Sequence, residues 1–167
     1  MGTNLSQLFV DSGTEKDLRQ SRNLSIEMGL FLQKTNIIRD YREDIDETKP
    51  RMFWPREIWK EYANELEEFK DTKNREKAIS CLNEMITNAL KHATKSLDYL
   101  EKLKNSAVLR FCAIPQIMAI ATLALCYNNG KVFETNVKIR RGQSCKIFLQ
   151  VAYSKYLTKD LFDVPLI

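Results

Sequence analysis

The chain has 167 residues, of which 44% are hydrophobic and 29% are charged, so it can bury a core of ordinary size and is not disordered throughout. Its five glycines and four prolines are too few for a collagen-like chain or a sandwich rich in tight turns, which leaves helix as the favoured class. The net charge of +4 is mild and does not indicate a nucleic acid as partner.

Two helices are predicted in the first half of the chain. The first spans about residues 24–47 and follows a polar loop near residues 11–20. The second begins at Pro55, because proline is well suited to the first turn of a helix. Its apolar residues recur with the helical period at Ile58, Tyr62, Leu66 and Phe69.

Two further helices are predicted in the second half. An apolar stripe of helical period runs over residues 79–103, after Asp71 and Thr72 as candidate caps. Ser106 is predicted to cap the fourth helix, which Pro115 is expected to kink and residues 128–130 to end. Residues 149–167 fit a strand or a helix and are left unassigned. The predicted architecture is an all-α bundle of long helices.

The most apolar stretch, residues 111–127, is shorter than the roughly 20 clean apolar residues of a spanning helix. We therefore predict a buried core helix there and no membrane span. The four cysteines lack zinc-ligand spacing and are predicted to be reduced thiols: Cys81, Cys112, Cys126 and Cys145.

Acidic and polar side chains gather on one face of the first predicted helix. At about 100° of turn per residue, the following residues share a face about 100° wide between apolar flanks: Gln33, Asn36, Asp40, Glu43 and Asp44. Carboxylates one turn apart, such as Asp40 and Asp44, are suited to Mg²⁺ shared with a substrate phosphate. The alternative is an ordinary surface helix whose acids are neutralised by Arg39, Arg42 and Lys49.

Several ordered motifs carry a family resemblance. Residues 28–44, MGLFLQKTNIIRDYRED, with RMFWP at 51–55, resemble the second aspartate-rich signature of the squalene and phytoene synthases. Three more segments resemble the squalene synthases in particular: CLNEMITNAL at 81–90, FCAIPQIMAIATL at 111–123 and KIRRGQ at 138–143. The resemblance covers about residues 1–144.

This resemblance implies an isoprenoid-synthase-like helical fold. It also implies the head-to-head joining of two farnesyl diphosphates through presqualene diphosphate, followed by reduction with NADPH to squalene for sterol biosynthesis. Such enzymes act at the cytosolic face of the endoplasmic reticulum. Since this chain shows no anchor, a cytosolic location is the alternative.

The resemblance also implies residue roles. It places Mg²⁺ at Asp40, Glu43 and Asp44. It places the polar side of the farnesyl diphosphate site at Gln33, Asn36 and Arg39. It lines the apolar channel for the farnesyl chains with Phe111, Cys112 and Pro115. It assigns NADPH binding to Lys138 and Arg140.

These assignments have structural alternatives. Residues 111, 112 and 115 fit core packing, and the basic segment that includes Lys138, Arg140 and Arg141 fits a solvated turn. His92, beside Lys91 on a charged stretch of helix, is expected to be exposed and to have no catalytic role.

The family's first aspartate-rich motif and its upstream tyrosine segment have no counterpart in the 167 residues. We therefore expect residues 1–148 to be a partial synthase domain, followed by an unassigned tail at 149–167, and the chain to be inactive alone. Whether it is an enzyme is left open. The alternatives are a non-catalytic helical module that pairs with a full-length enzyme or another chain, and a phytoene or dehydrosqualene synthase relative.

Overall fold

A computed structural model describes residues 2–15, 21–47 and 53–153, and within these ranges the chain is helical and contains no strand. The α-helices are α1 (Gly2–Asp11), α2 (Arg22–Arg39), α3 (Tyr41–Ile45), α4 (Arg56–Trp59), α5 (Arg75–Glu101), α6 (Ser106–Cys126) and α7 (Arg141–Tyr153). Short 3₁₀ turns lie at Leu66–Lys70, Thr72–Asn74 and Gly130–Phe133. The predicted all-α class is confirmed.

Helix α5 forms the centre of the bundle. It packs along α2 and against α6, while α1 lies on α2 and α7 lies on α6. The predicted apolar stripe of α5 faces inward as expected, with Leu82 and Ala89 fully buried and Ile86 2% exposed. Burial of this stripe against two neighbouring helices holds the 27-residue helix in place.

The buried residues form two clusters. In the first, four side chains pack with ring centroids 5.0–6.2 Å apart in the contacts among them, and we call them the aromatic cluster: Tyr41, Trp54, Phe69 and Phe133. The second cluster joins the end of α5 to α6 and α7 through residues such as Tyr99, Cys112 and Ile147.

The second predicted helix is wrong beyond its first turn. After α4 the chain turns and forms only the 3₁₀ segment Leu66–Lys70. A capping box between Glu65 and Glu68 caps the N-terminus of that segment. The hydroxyl of Tyr41 donates to the carbonyl of Leu66 at 2.6 Å. These local bonds satisfy backbone groups that a continuous helix would have paired internally.

The start of α6 differs from expectation, whereas its end agrees with it. Asn105, rather than Ser106, is the N-cap, and its side-chain oxygen accepts from the N–H groups of Ala107 and Val108. Pro115 lies inside the helix. The helix ends at Cys126, and Asn128 takes a left-handed φ of 53° where residues 128–130 were predicted to end the helix.

Two helices were not predicted. Helix α1 is fastened by a buried hydrogen bond between Ser6 and Tyr99 at 2.8 Å. Its following loop is fastened by Glu15, which is 2% exposed and accepts from the backbone N–H of Asn105. Helix α7 runs across the expected boundary between residues 148 and 149, and the remainder of the expected tail lies outside the described residues.

Helix α6 has the length and apolar composition to cross a membrane, and within the described ranges it alone does. Half of its most apolar stretch is buried by the rest of the bundle. This burial agrees with the prediction of a core helix.

Candidate functional site

The acidic face lies where α2 gives way to α3. The first predicted helix is interrupted at Asp40, whose φ of −88° and ψ of 9° separate the two helices. Helical hydrogen bonds still cross the interruption, because Asp40 donates its N–H to Asn36 and Asp44 donates its N–H to Asp40, both at 2.9 Å. Asp40 and Asp44 therefore remain one helical turn apart.

The predicted face is unevenly exposed. Asp40 and Asp44 are half-buried, whereas the other three predicted members are exposed: Gln33, Asn36 and Glu43. Gln33 also borders a cavity of about 210 Å³ between α2 and α5. The interruption thus leaves the face in place and puts the two aspartates at its more protected end.

Asp40 is held by its neighbour Arg39. The guanidinium Nε and Nη2 donate to the two carboxylate oxygens, each at 2.7 Å. This hydrogen-bonded pairing raises the pKa of Arg39. A bidentate pair of this kind fixes the direction of both side chains, so a phosphate or a cation approaching Asp40 meets Arg39 as well.

The surface-helix alternative is supported by ion pairs of two of the cations that it names, Arg39 and Arg42. Arg42 pairs with Asp46 at 2.6 Å, and Lys70 pairs with the same carboxylate at 2.6 Å. Asp46 is not a member of the predicted face, and the Lys49 of that alternative lies outside the described residues. Arg39, which the same alternative names, pairs with Asp40 of the predicted face, so the alternative accounts for Asp40 as well as Asp46.

A group of three or more His, Cys, Asp or Glu side chains placed to hold a metal ion is absent from the described ranges. Asp40, Glu43 and Asp44 thus offer separate carboxylates and no closed protein cage. Mg²⁺ commonly takes one or two carboxylates and completes its shell with waters and substrate phosphates. The donor chemistry suits Mg²⁺ under that condition, and the assignment stays a prediction.

The aromatic cluster packs against the backbone that carries the acidic face. Tyr41 is fully buried between Asp40 and Arg42, and burial raises the pKa of its hydroxyl. The indole N–H of Trp54 donates to the carbonyl of Ile37 at 3.0 Å, which ties the cluster to the last turn of α2. Packed rings of this kind fix the backbone that carries the two aspartates.

The basic segment reaches the acidic face. Lys138 and Arg140 lie exposed in the irregular stretch before α7, and the Lys138 Nζ is 3.9 Å from a carboxylate oxygen of Glu43. Upstream, Arg75 anchors the same stretch by donating to the carbonyl of Gly130 at 2.9 Å and to Glu134 at 2.7 Å. The structure thus brings together two predicted sites that are far apart in sequence.

Lys138 also lines a groove of about 520 Å³ between α6 and α7. We call it the α6–α7 groove, and its lining includes Ala121, Leu125, Lys138, Arg140, Lys146 and Gln150. Both residues to which the family resemblance assigns NADPH binding are among them. Lys138 and Arg140 are exposed, as the solvated-turn alternative predicts, but they also border this groove.

The three predicted channel residues of α6 have different environments. Cys112 is 2% exposed, and burial raises the pKa of its thiol to about 12. Pro115 is half-buried. Phe111 is 59% exposed and meets Phe9 edge to face at 6.4 Å. Core packing therefore accounts for Cys112 and does not account for Phe111.

His92 corrects a prediction, since its side chain is 18% exposed and fully hydrogen-bonded. Its Nδ1 lies 2.6 Å from Glu27, and its Nε2 lies 2.7 Å from the Nζ of Lys34, which also reaches Asn88. Desolvation lowers the pKa of Lys34. The network joins α2 to α5, and no short sequence motif marks it because its hydrogen bonds connect residues 54–65 positions apart.

Comparisons with known proteins show the family of this chain. The family model for squalene/phytoene synthase matches residues 1–143. The chain belongs to the squalene/phytoene synthase family. This member is 56% identical over 148 residues to squalene synthase 1 of Arabidopsis thaliana, and 54% identical over 165 residues to squalene synthase 8 of Panax ginseng.

A solved complex of TcSQS with the ligand BPH1237 is similar to this family member with a TM-score of 0.89 and 47% sequence identity. The match covers 96% of this chain and 47% of that one. The Arabidopsis match covers 88% of this chain and 36% of the relative, and the ginseng match 98% and 40%. The chain thus spans less than half the length of the relatives it matches.

Proposed function

We propose that these residues form part of a squalene synthase site, in which two farnesyl diphosphates are condensed through presqualene diphosphate and reduced with NADPH. The observation that carries the proposal is the contact between Glu43 and Lys138 at 3.9 Å. It places the acidic face, suited to a metal-bound diphosphate, beside the cations suited to a phosphorylated cofactor. The squalene synthases named above make this function the best supported for the pair of sites.

In this proposal Asp40 and Asp44 hold Mg²⁺ together with oxygens of the substrate diphosphate. When bound, the metal would neutralise the diphosphate and make it a better leaving group. Arg39 is placed to bind the same diphosphate, because its guanidinium already lies against Asp40. Gln33 and Asn36 extend the polar face, while Phe111 and Pro115, one turn apart on α6, offer apolar surface to a farnesyl chain.

Mg²⁺ binding tests this proposal directly. Calorimetry with Mg²⁺ should give weak binding alone and binding about tenfold tighter in the presence of a non-reactive farnesyl diphosphate analogue, because the diphosphate supplies missing ligands. The double variant Asp40→Asn/Asp44→Asn should lose that enhancement.

The matched control is Asp46→Asn, which removes a carboxylate from the same segment but outside the acidic face. It should keep the enhancement. Equal heats for the wild-type chain and the Asp40→Asn/Asp44→Asn variant would reject the metal assignment.

We further propose that the 167 residues alone do not make squalene. Allylic ionisation and protection of a carbocation need a closed site, and the described residues place only one acidic face beside the basic segment. Purified chain, farnesyl diphosphate, Mg²⁺ and NADPH should yield no squalene or presqualene diphosphate above an Asp40→Asn control. Either product above that control would contradict the proposal. The proposed location, the cytosolic face of the endoplasmic reticulum or the cytosol, is open to cell fractionation.

A second candidate is a non-catalytic module that pairs with a full-length enzyme or another chain. Its support is the exposure of large apolar side chains, with Leu8 61% and Phe111 59% exposed. Exposed apolar surface of this kind favours association. Light scattering should then show a complex with a full-length squalene synthase that Phe111→Asp weakens. A monomer that ignores the enzyme at micromolar concentration would exclude this candidate.

A further inference from the structure

Four polar side chains meet across the interface between α2 and α5, and the function proposed above does not use them. Glu27 and Lys34 lie two turns apart on one face of α2, and Asn88 and His92 lie one turn apart on the facing side of α5. The Nζ of Lys34 is 2.7 Å from the Nε2 of His92 and 2.5 Å from the Oδ1 of Asn88. The Nδ1 of His92 is 2.6 Å from a carboxylate oxygen of Glu27.

The hydrogen bonds of this network place one proton between Lys34 and His92. Because a carboxylate only accepts, the Nδ1 of His92 donates to Glu27. In the neutral imidazole the Nε2 then carries the lone pair and accepts from the ammonium of Lys34. Transfer of the proton along this bond leaves Lys34 as a neutral amine and His92 as an imidazolium beside the Glu27 carboxylate.

The amine of Lys34 also borders apolar space. Lys34 and Asn88 line the cavity of about 210 Å³ between α2 and α5, which we call the α2–α5 cavity. Apart from Gln33, the rest of its lining is apolar: Leu30, Ile37, Phe53, Pro55 and Met85. Desolvation lowers the pKa of Lys34, the charge of Glu27 opposes this effect, and the charge of Lys91 adds to it. Lys34 therefore gives up its proton more readily than an ordinary exposed lysine.

The arrangement has the three parts of an activated amine nucleophile. These are the nucleophile, a base within hydrogen-bond reach of it, and a third group that orients the base, and here they are Lys34, His92 and Glu27. We propose that Lys34 forms a Schiff base with an apolar aldehyde bound in the α2–α5 cavity.

The reaction needs no oxidant or reductant. His92 takes a proton from the Lys34 ammonium, and the neutral amine attacks the carbonyl carbon to form a C–N bond. The proton on nitrogen moves to the oxygen, which gives a carbinolamine. His92 then returns its proton to that hydroxyl as the C–O bond breaks. The products are a protonated imine on Lys34 and one molecule of water, and His92 is neutral again.

The size of the α2–α5 cavity limits the aldehyde. A volume of about 210 Å³ equals that of about seven water molecules at about 30 Å³ each, which suits a chain about as long as hexanal. Phe53 is 57% exposed, so this part of the lining borders solvent and gives the aldehyde a way in. The Nδ2 of Asn88 is an N–H donor suited to the carbonyl oxygen, since the Oδ1 of the same amide already holds Lys34.

Trapping of the imine with cyanoborohydride, followed by peptide mass spectrometry, tests the proposal on the intact chain. Hexanal should label Lys34 at least about tenfold faster than Lys95, an exposed lysine of α5 outside the cavity. Acetaldehyde, which is too short to contact the apolar lining, should show a much smaller preference. Lys34→Arg keeps the positive charge and should remove the fast phase of labelling, whereas the matched variant Lys95→Arg should retain it.

Proton transfer is tested separately from binding. His92→Gln should slow imine formation about a hundredfold and leave calorimetric binding of hexanol unchanged, because the alcohol fills the cavity without a proton transfer. A merely structural role of His92 would instead weaken hexanol binding and imine formation together. Leu30→Trp, which fills the cavity, should abolish both, and its circular dichroism should stay that of the wild-type chain.

Equal labelling of Lys34 and Lys95 by hexanal would overturn the inference, as would equal rates of labelling in the wild-type chain and His92→Gln. The α2–α5 cavity shares Gln33 with the acidic face but none of its carboxylates. The Asp40→Asn/Asp44→Asn variant should therefore label at Lys34 as the wild-type chain does. Failure of the metal assignment leaves this inference standing, and an unreactive Lys34 leaves the metal assignment standing.

Discussion

The aromatic cluster is packed more completely than the exposed surface of α7 around Phe148 and Tyr153, which we call the α6–α7 face. In the cluster, Phe133 and Trp54 are at most 4% exposed, and the polar atoms of Trp54 and Tyr41 donate to backbone carbonyls. On the α6–α7 face, Phe148 is 54% and Tyr153 80% exposed. The comparison indicates that the first region fixes the geometry of the acidic face and that the second offers surface to a ligand or another chain.

Buried polar groups show the same difference. In the aromatic cluster, the hydroxyl of Tyr41 and the indole N–H of Trp54 each donate a hydrogen bond to a backbone carbonyl. By contrast, Gln116 of α6 is 1% exposed and neither atom of its amide has a partner within the described part of the chain, nor has the Oε1 of Gln150 on α7. A folded chain rarely leaves buried polar groups unpaired, so these two glutamines are less completely satisfied than the polar groups of the aromatic cluster.

The sharpest test of the difference uses two phenylalanines. Phe133→Ala should lower the free energy of unfolding by about 3–5 kcal/mol, because it leaves a cavity among three other rings. Denaturant unfolding measures the loss. Phe148→Ala, at an exposed site of α7, should change stability by less than about 0.5 kcal/mol. Similar losses at the two positions would show that the α6–α7 face is packed as tightly as the cluster.

The next test lies within α5. Ile86→Ala should cost about 2–5 kcal/mol, since Ile86 is 2% exposed in the central stripe. Leu90, one turn further on and 42% exposed, is the matched control, and Leu90→Ala should cost far less. Thermal or denaturant unfolding of both variants measures the difference. A larger loss at Leu90 would mean that α5 is rotated from the orientation described.

A smaller effect is expected where α6 begins. Asn105→Ala should destabilise the chain by about 1 kcal/mol, because the Asn105 side chain accepts two N–H groups of the first turn. Unfolding experiments on Ser106→Ala provide the comparison, and that variant should be close to neutral. The reverse order would restore Ser106 as the cap that the sequence predicted.

The last prediction concerns the pH dependence of the free energy of unfolding, to which the buried cysteines contribute at moderately alkaline pH. Burial raises the pKa of the Cys81 thiol from 9.0 to about 12 and that of Cys126 to about 11. Their protonated forms are retained in the folded chain while the unfolded chain loses its thiol protons. Their contribution is therefore complete below pH 9 and is lost as pH rises towards 11–12.

Unfolding measured at about pH 8 and about pH 10 should show this loss, and Cys81→Ala should reduce its slope. Cys145→Ser is the control, because it removes a thiol that lies exposed on α7. Thiol reagents should label Cys145 first in the folded chain. Rapid labelling of Cys81 would contradict its burial.

Much of the fold followed from sequence periodicity. The stripe of α5 predicted both the helix and its buried face, since a long apolar repeat has one geometry that buries it. The second predicted helix failed although Ile58, Leu66 and Phe69 have helical spacing and are buried. Their burial is achieved by short turns, because the capping box at Glu65 and the Tyr41 hydroxyl compete for the backbone.

The candidate site was predicted in part. Spacing placed Asp40 and Asp44 one turn apart, and the structure keeps that relation because local hydrogen bonds continue through the interruption. The ion pair between Arg39 and Asp40 is also local. The network of Glu27, His92 and Lys34 was missed, because its members come from two helices.

The sequence by itself determined the helical class, the family resemblance and the order of the acidic and basic segments, since each depends on residues close along the chain. Only the tertiary structure decided which segments meet. It set Lys138 beside Glu43, left Phe111 exposed and opened a groove at Lys146 and Gln150. These relations depend on how the helices pack against one another, and no local pattern of residues specifies that packing.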